Sequence, residues 1–332
     1  MHTEKETTVE SPYTGGKVTE VQTVEKMDFR GEDFYVHTRY YLCKVTGERF
    51  TDTEQDEATL NDLYSQYRIK HGIPFPEEIR AIRQRYGLNH TQINKLMGFG
   101  VNQWAKYENG QVPSDSNGRL IAAMRRKEVA LGLIRDLRPV FEDDEFAKIL
   151  SSVLASPEED IKEGLNSIMY EGTSRSLENG YAPFDHRKIE AMVKYLAGSG
   201  KCATQLNKEM FYSDFQHFRN HGTSISGLRY QAIQFGPVPV HYSTIYDHVP
   251  QLDKVVIVRG NLESIVFKCQ TPPDLSIFSH QEQMTLEEVK NKLDALSVSE
   301  IVELSHKEPA WLKNYPHKGI IPYSEAYNLS GL

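Results

Sequence analysis

The N-terminal part of the chain has a strand-like pattern of apolar and polar residues. Between residues 17 and 50, stretches such as KVTEVQTVEKMDF and EDFYVHTRYYL mix Val, Thr, Tyr and Phe with polar residues, and glycines separate them. Such stretches are typical of strands that bury one face. We therefore predict a small antiparallel sheet, followed by a helical connector from Thr53 to about His71.

Helical spacing replaces this pattern after Ile73-Pro74-Phe75-Pro76, and we predict a run of short helices over residues 76–127. A longer helix is predicted from Arg119 to about Leu137, followed by a short one at FEDDEF. The turn-forming residues of 155–183 are typical of a linker.

The pattern becomes mixed from about Phe184. Helical spacing recurs at 185–197, 203–220 and 280–296, and strand-like stretches lie at 228–235, 254–260 and 263–269. The predicted fold class is α+β and multidomain, with a small N-terminal β-sheet, an all-α middle domain and a mixed α+β C-terminal domain. The predicted segments are 1–67, 68–150, a linker at 151–183, and 184–332.

The charge distribution singles out the middle of the chain. The formal net charge is −8, but residues 68–127 hold 11 Lys+Arg and 4 Asp+Glu, a net charge of +7. A basic window in an acidic protein is what a phosphate-binding surface requires, although solvated helix charges can cluster by chance. The three cysteines, Cys43, Cys202 and Cys269, are far apart in sequence, which fits a reducing cytoplasm and no disulfide framework. No apolar run of 18 residues is present, and the polar N-terminus lacks a signal peptide's pattern, so we expect a cytoplasmic protein without membrane contact.

The window LNHTQINKLMGFGVNQWAKYENGQVP, residues 88–113, predicts two short helices joined by a tight turn. Asn89 can cap a helix that starts at His90, and Gly98 suits the left-handed residue that ends it. A second helix is predicted over Val101–Glu108, with Trp104 and Tyr107 on its inner side.

That arrangement leaves polar side chains on the outer side, where Asn and Gln can pair with adenine and Lys can reach guanine or phosphate. The predicted DNA-binding residues are Gln92, Lys95, Asn102, Gln103 and Lys106. Arg80, Arg83 and Arg85 add to the basic surroundings. The alternative is a helical hairpin that only packs.

These residues, with the run Tyr107-Glu108-Asn109-Gly110, resemble the Xre/Cro helix-turn-helix family, and most of all its version in MqsA-like (YgiT-like) antitoxins. The resemblance implies a homodimer that binds a palindromic operator. Val101 stands where the family often has a polar or basic residue, so base preference does not carry over.

MqsA-like antitoxins also have an N-terminal zinc ribbon with two CxxC pairs. The corresponding positions here resemble that frame but hold Ser11, Thr14, Cys43 and Thr46. Neutral hydroxyls are poor zinc ligands, so we predict a degenerate ribbon without metal or other cofactor. A zinc site that uses His37 or His2, or an unrelated β-hairpin, remain as alternatives.

The stretch LNKEMFYSDFQHFRNHGTSISGLRYQAIQFGPVP, residues 206–239, predicts a helix with an inward stripe of phenylalanines, then a strand and a turn. Together with Leu304-Ser305-His306 and Trp311 it resembles the Panacea (SocA-like) antitoxin domain. The resemblance implies direct binding of a protein toxin. Our candidates for toxin contact are Tyr212, Arg229, Tyr230 and Trp311.

Asp214, His217 and His221 share one face of this helix and could in principle bind a metal. No nucleophile elbow, phosphate loop or HExxH motif accompanies them, so we expect a structural polar seam in which His and Asp satisfy each other, and no enzyme.

The expected function is that of a type II antitoxin that binds its cognate toxin, and that represses its own operon through operator DNA. The alternative is a transcriptional regulator with a ligand-sensing or protease-adaptor C-terminal domain.

Overall fold

A computed structural model describes residues 3–156, 175–259 and 262–331. The chain divides into two compact units. Met1–Leu63 and Leu165–Leu332 together form the first, which we call the discontinuous unit, and Tyr64–Gly164 form the second, the helical unit. The N-terminal sheet is therefore grouped with the C-terminal part of the chain, although the sequence pattern assigned it a segment of its own.

The N-terminal sheet is antiparallel throughout, as predicted, with the strand order β1-β2-β3-β4. Its strands are β1 (Thr3–Glu10), β2 (Lys17–Phe29), β3 (Glu32–Cys43) and β4 (Arg49–Phe50). Arg30 and Gly31 form the turn between the two long strands, and both have positive φ, 55° and 80°. A two-residue turn of this kind matches the right-handed twist of the strands that it joins.

The predicted helical connector is helix α1 (Thr53–His71), with acidic residues in its first turn and basic residues in its last. Both ends complement the helix dipole. The helix begins in the discontinuous unit and ends in the helical unit.

The helical unit holds six further α-helices in its described residues. They are α2 (Pro76–Arg85), α3 (His90–Met97), α4 (Gln103–Glu108), α5 (Asp115–Ala123), α6 (Lys127–Asp136) and α7 (Asp143–Ala155). The core consists mainly of aliphatic side chains together with the fully buried Tyr86 and Trp104.

The single helix predicted from Arg119 to Leu137 is in fact two helices, α5 and α6. The hydroxyl of Tyr86 donates to the carbonyl of Met124 (2.7 Å), and Nη1 of Arg85 donates to the carbonyl of Arg125 (2.9 Å). These carbonyls are engaged by side chains of α2 and the residue after it, and Arg126 is extended. The helix therefore stops and restarts at a contact that helical spacing does not reveal.

The C-terminal part of the discontinuous unit is a mixed α+β arrangement around one long helix. Its elements are α8 (His186–Ala197), β5 (Lys201–Cys202), α9 (Ala203–His221), β6 (Tyr230–Ile233), β7 (Gly236–Pro239), α10 (Tyr242–His248), β8 (Leu252–Arg259), β9 (Leu262–Cys269), α11 (His280–Asp294), α12 (Val298–Lys307), α13 (Pro309–Asn314) and β10 (Ile320–Ile321). Helix α9 is buried from Leu206 to Phe218, on all its faces. Two small sheets, ordered β10-β6-β7 and β5-β9-β8, accompany it.

Polar contacts join the N-terminal sheet to this C-terminal part. The guanidinium of Arg39 donates to the side chain and the carbonyl of Asn220, both at 3.3 Å. The ring of His37 stacks on Tyr327 at 4.3 Å, while its Nδ1 lies 3.2 Å from the buried carboxylate of Asp62. Asp62 also accepts a hydrogen bond from the hydroxyl of Tyr181.

Tyr181 belongs to the predicted linker at 151–183. Residues 157–174 lie outside the described residues, but the described ends of this segment are structured. Residues 151–155 complete α7, and Tyr181 is 2% exposed in the discontinuous unit. Across residues 3–156, 175–259 and 262–331, no helix has the length and apolar character needed to cross a bilayer.

Candidate functional site

The pair α3–α4 begins as the sequence predicts. Asn89 caps α3: its side chain accepts the N–H of Gln92 at 2.9 Å, and the Gln92 side chain accepts the N–H of Asn89 at 3.0 Å. Gly98 ends α3 in the left-handed conformation, with φ 65°. Two reciprocal hydrogen bonds and one glycine thus fix both ends of the first helix.

The second helix starts at Gln103, two residues later than predicted. The N–H of Trp104 donates to the side-chain oxygen of the buried Asn94 at 2.9 Å, and Asn102 precedes the helix with φ 61°. Asn94 thus provides an acceptor for the first turn of α4 from the preceding helix. Val101 and Asn102 belong to the turn, not to a helical face.

Aromatic packing decides which side of α4 is buried. Trp104 and Tyr107 are 0% and 4% exposed, and the ring of Phe99 contacts both at centroid distances of 6.2 and 5.8 Å. Asn102 and Lys106 are exposed, and Val101 is 88% exposed. The outer surface of the turn and helix therefore includes Asn102 and Lys106, whereas Gln103, which the sequence pattern also assigned to it, is half-buried.

The other predicted DNA-binding side chains already have protein partners. Gln103 is half-buried and lies within 3.4 Å of Gln111. Lys95 forms an ion pair with Glu145 at 3.0 Å, and its ammonium group lies over the ring of Phe141. Gln92 uses one side-chain atom in the cap of α3. A phosphate role for Lys95 requires its pair with Glu145 to open, so Lys106 is the more accessible cation.

A buried carboxylate holds this pair of helices together. Glu108 is 6% exposed and accepts Nε and Nη2 of Arg83 at 2.6 and 3.0 Å, His90 Nε2 at 3.1 Å, and Trp104 Nε1 at 2.8 Å. Burial alone would raise the pKa of Glu108, but the hydrogen bonds from Arg83, His90 and Trp104 outweigh it and leave the pKa lowered.

This network corrects one step of the sequence argument. Arg83 was counted among the residues of a DNA-facing basic surface, but its side chain is 14% exposed and bound to Glu108. Sequence reasoning missed the role of Glu108. The available signal was that Glu108 is one of only four acidic residues in the basic window 68–127.

The four zinc-ribbon positions lie on two loops with the same backbone hydrogen bonds. In the first, the N–H of Ser11 donates to Gly16 and that of Gly15 to Ser11; in the second, Cys43 donates to Glu48 and Gly47 to Cys43, all at 2.8–2.9 Å. Thr14 and Thr46 each accept a backbone N–H two residues on, at 3.2 and 3.3 Å. The two loops are therefore equivalent, with a constant offset along the chain.

The four side chains meet around one thiol. Cys43 is 1% exposed, and its Sγ lies 3.5 Å from Oγ1 of Thr14. Hydrogen bonds from the hydroxyl of Ser11, and then from those of Thr14 and Thr46, lower the pKa of Cys43 to about 6. The hydroxyls therefore stabilise negative charge on a single sulfur.

These residues do not fit a zinc ion. A structural zinc site takes four strong donors, whereas three of the four here are neutral hydroxyls, and Thr14 and Thr46 already accept backbone N–H groups. No group of three or more His, Cys, Asp or Glu side chains in the described ranges could hold a metal. The alternative ligand His37 is bound to Asp62. His2 lies outside the described residues.

The polar residues of α9 have other hydrogen-bond partners than the ones predicted. Asp214 accepts the N–H groups of Ile225 and Ser226, both at 2.9 Å, and the hydroxyls of Ser226 and Tyr230. His217 instead contacts Oγ1 of Thr285 at 3.1 Å. Asp214 and His217 thus have separate partners and do not satisfy each other. Burial raises the pKa of Asp214 and lowers that of His217.

Three of the four predicted toxin contacts are buried residues. Tyr212 and Tyr230 are each 0% exposed, and their hydroxyls donate to Glu308 and Asp214. This conformation therefore offers neither side chain to a partner. Trp311 is 9% exposed and donates to the carbonyl of Ile233. Arg229 is partly exposed and lies 3.7 Å from Glu178.

Two protein families match separate segments of the chain. Residues 206–312 match the family described as antitoxin SocA-like, Panacea domain. Residues 14–135 match the family described as the antitoxin component of a bacterial toxin-antitoxin system, MqsA. The chain matches no curated protein and no solved structure. The chain is therefore similar to an MqsA antitoxin over a segment that includes α3 and α4, and to a SocA-like Panacea domain over a segment that includes most of α9.

Proposed function

We propose that this chain neutralises a cognate protein toxin by direct binding through its Panacea domain, and that it represses its own operon through α3 and α4. The toxin is the product of an adjacent gene. The observation that carries the DNA-binding half is the exposure of Asn102 and Lys106 on an aromatic-packed pair of helices inside a basic window. The toxin-binding half is supported by the match of residues 206–312 to an antitoxin domain.

In this proposal the protein binds DNA as a homodimer. Two copies of α4 would enter successive major grooves about 34 Å apart, which requires a palindromic operator. Gly98 and the cap at Asn89 hold α3 in place, and the Glu108 network fixes α4 relative to α2 and α3. In this proposal α4 keeps its position when DNA binds, which would keep the entropic cost of binding low.

The DNA-binding half is tested with DNA from immediately upstream of this gene. The double variant Gln103→Ala/Lys106→Ala should lose roughly tenfold or more in affinity, and the salt dependence of the residual binding should weaken. The matched control Gln84→Ala/Lys148→Ala removes an exposed glutamine and an exposed lysine elsewhere in the helical unit and should bind like the wild type. Equal loss in both variants, or no binding by the wild type, would contradict the proposal.

The toxin-binding half is tested by co-expression with the adjacent gene. Cells that express that gene alone should stop growing, and the wild-type chain should restore growth. An adjacent product that is harmless alone, or toxic in spite of this chain, favours instead a regulator whose C-terminal domain has another partner.

A further inference from the structure

The outer strand of one small sheet combines an unpaired edge with exposed apolar side chains. Strand β8 pairs with β9 along its whole length, from Leu252↔Cys269 to Arg259↔Leu262. Within the described residues no strand pairs with its other edge, because the order of this sheet is β5-β9-β8. That edge therefore offers a row of backbone N–H and C=O groups.

The register shows that one face of this hairpin passes from the core into solvent. Phe267 is 5% exposed, and its ring lies 4.8 Å from that of Tyr246. Side chains alternate between faces along a strand, so Ile265 shares the face of Phe267, and Val256 lies directly opposite Ile265. Val256 and Ile265 are 58% and 51% exposed. An apolar pair thus continues the buried surface outward with nothing in the described chain above it.

The opposite face gives the strand little protection either. On that face Val255 is 36% exposed. Lys254 is the one charged residue of the run Lys254-Val255-Val256-Ile257, and its ammonium group is bound to Asp247. By contrast, the outer strand β1 of the N-terminal sheet has Glu4, Lys5, Glu6 and Glu10 in its sequence. Charged edges of that kind prevent unwanted strand pairing. In β8, the charged residues Asp253, Lys254 and Arg259 flank the β-branched run Val255-Val256-Ile257-Val258, and such a run invites pairing.

We propose that the outer edge of β8 is the docking site for an extended segment of the toxin, which adds to the sheet as a further strand. This inference rests on the proposed function. The hairpin lies wholly within residues 206–312, the segment that matches an antitoxin domain. The backbone edge specifies a strand as the partner, and the exposed valines and isoleucine specify apolar or aromatic side chains at alternate positions of that strand. The charge of Lys254 is already compensated by Asp247, so no acidic partner is required.

The test uses the full-length chain and the purified product of the adjacent gene. Val256→Glu/Ile265→Glu places two charges on the proposed interface, at positions whose exposure lets the fold tolerate them. We expect an unchanged melting temperature and a roughly tenfold or larger rise in Kd, because an unpaired charge is costly to bury. The matched control is Phe235→Glu/Leu312→Glu, at residues of the same matched segment that are 63% and 53% exposed, and it should bind like the wild type.

Hydrogen exchange distinguishes strand addition from side-chain contact alone. Backbone groups alternate between the two edges of a strand, so those of Lys254 and Val256 face outward while Val255 and Ile257 bond to β9. In the wild type, the amides of Lys254 and Val256 should be protected when the adjacent gene product is bound and should exchange faster in the free chain. Wild-type affinity in Val256→Glu/Ile265→Glu, equal loss in the control, or unchanged exchange at the amides of Lys254 and Val256 would overturn the inference and leave the proposed function standing.

Two further outcomes also overturn it. If the free chain is an oligomer that Val256→Glu/Ile265→Glu dissociates, with the amides of Lys254 and Val256 already protected, the edge pairs with a second copy and not with the toxin. If the wild type does not bind the adjacent gene product at all, the proposed function fails and this inference fails with it.

Discussion

Each unit of the molecule contains a buried carboxylate that accepts several hydrogen bonds, yet the two are held in opposite ways. Glu108 of the helical unit has the cation Arg83 and the imidazole of His90 among its donors, and its pKa is lowered. Asp214 of the discontinuous unit has hydroxyl and backbone donors only, and burial raises its pKa. Burial is the largest influence on both pKa values: at Glu108 the hydrogen bonds from Arg83 and its neighbours outweigh it, whereas the neutral donors of the more deeply buried Asp214 do not.

The largest effect is expected from Glu108→Ala. Removing this carboxylate leaves the buried Arg83 guanidinium unpaired and frees Trp104 Nε1, which should cost the helical unit about 3 kcal/mol. Denaturant unfolding can be followed unit by unit, because the chain has two tryptophans, Trp104 in the helical unit and Trp311 in the other. In a Trp311→Phe background, Trp104 fluorescence reports the loss. Glu145→Ala, which removes the half-exposed pair with Lys95, should cost under about 1 kcal/mol; equal costs would refute a special role for Glu108.

A smaller effect is expected from Asp214→Asn. The amide keeps one acceptor oxygen but turns a donor towards donors that Asp214 now satisfies, at a cost of about 2 kcal/mol. The loss should appear in Trp311 fluorescence, and the Trp104 transition should stay in place. A shift of the Trp104 transition alone would show that Asp214 does not act where the structure puts it.

The contributions of Glu108 and Asp214 to stability should change with pH in opposite directions. A lowered pKa means that the contribution of Glu108 is present above about pH 4.5, the ordinary pKa of a glutamate, and is lost as the pH falls through the lowered value. A raised pKa means that the contribution of Asp214 is largest below its ordinary pKa and is lost as the pH rises through the raised value. The stability difference between wild type and Glu108→Gln should therefore shrink on acidification, and that between wild type and Asp214→Asn should grow. If both stability differences changed in the same direction with pH, the proposed contrast between Glu108 and Asp214 would be wrong.

The smallest effect, none at all, is expected when the wild type is treated with a metal chelator. The cluster around Cys43 is held by hydroxyls and backbone N–H groups, so the melting temperature of the wild-type protein should be the same with and without the chelator. The variant Ser11→Cys/Thr14→Cys/Thr46→Cys should bind one zinc ion, because both loops keep the same backbone hydrogen bonds, and should become sensitive to the chelator. Chelator sensitivity of the wild type would refute the metal-free account.

Local signals predicted much of the fold. Asn89 and Gly98 marked both ends of α3, and the four positions that the resemblance grouped into two pairs, Ser11 with Thr14 and Cys43 with Thr46, lie on two loops with the same backbone hydrogen bonds. Each of these features depends on hydrogen bonds between residues only a few positions apart, which a single sequence can indicate.

What the sequence missed depends on distant contacts. Helix α4 starts late because Asn94 of the preceding helix accepts the N–H of Trp104. The grouping of the N-terminal sheet with the C-terminal part rests on pairs such as Arg39 with Asn220, 181 positions apart. Tyr212 and Tyr230 resembled interface aromatics, but their hydroxyls are used inside the core. Periodicity and composition carry no information about such partners.

The most direct test of two separable activities measures promoter repression and growth in the same cells, which carry the adjacent gene and a reporter of the upstream promoter. For Gln103→Ala/Lys106→Ala we expect the reporter to be released while growth remains as in the wild type. Loss of growth together with repression, in a variant that is still folded, would contradict the assignment of DNA binding and toxin neutralisation to different parts of the chain.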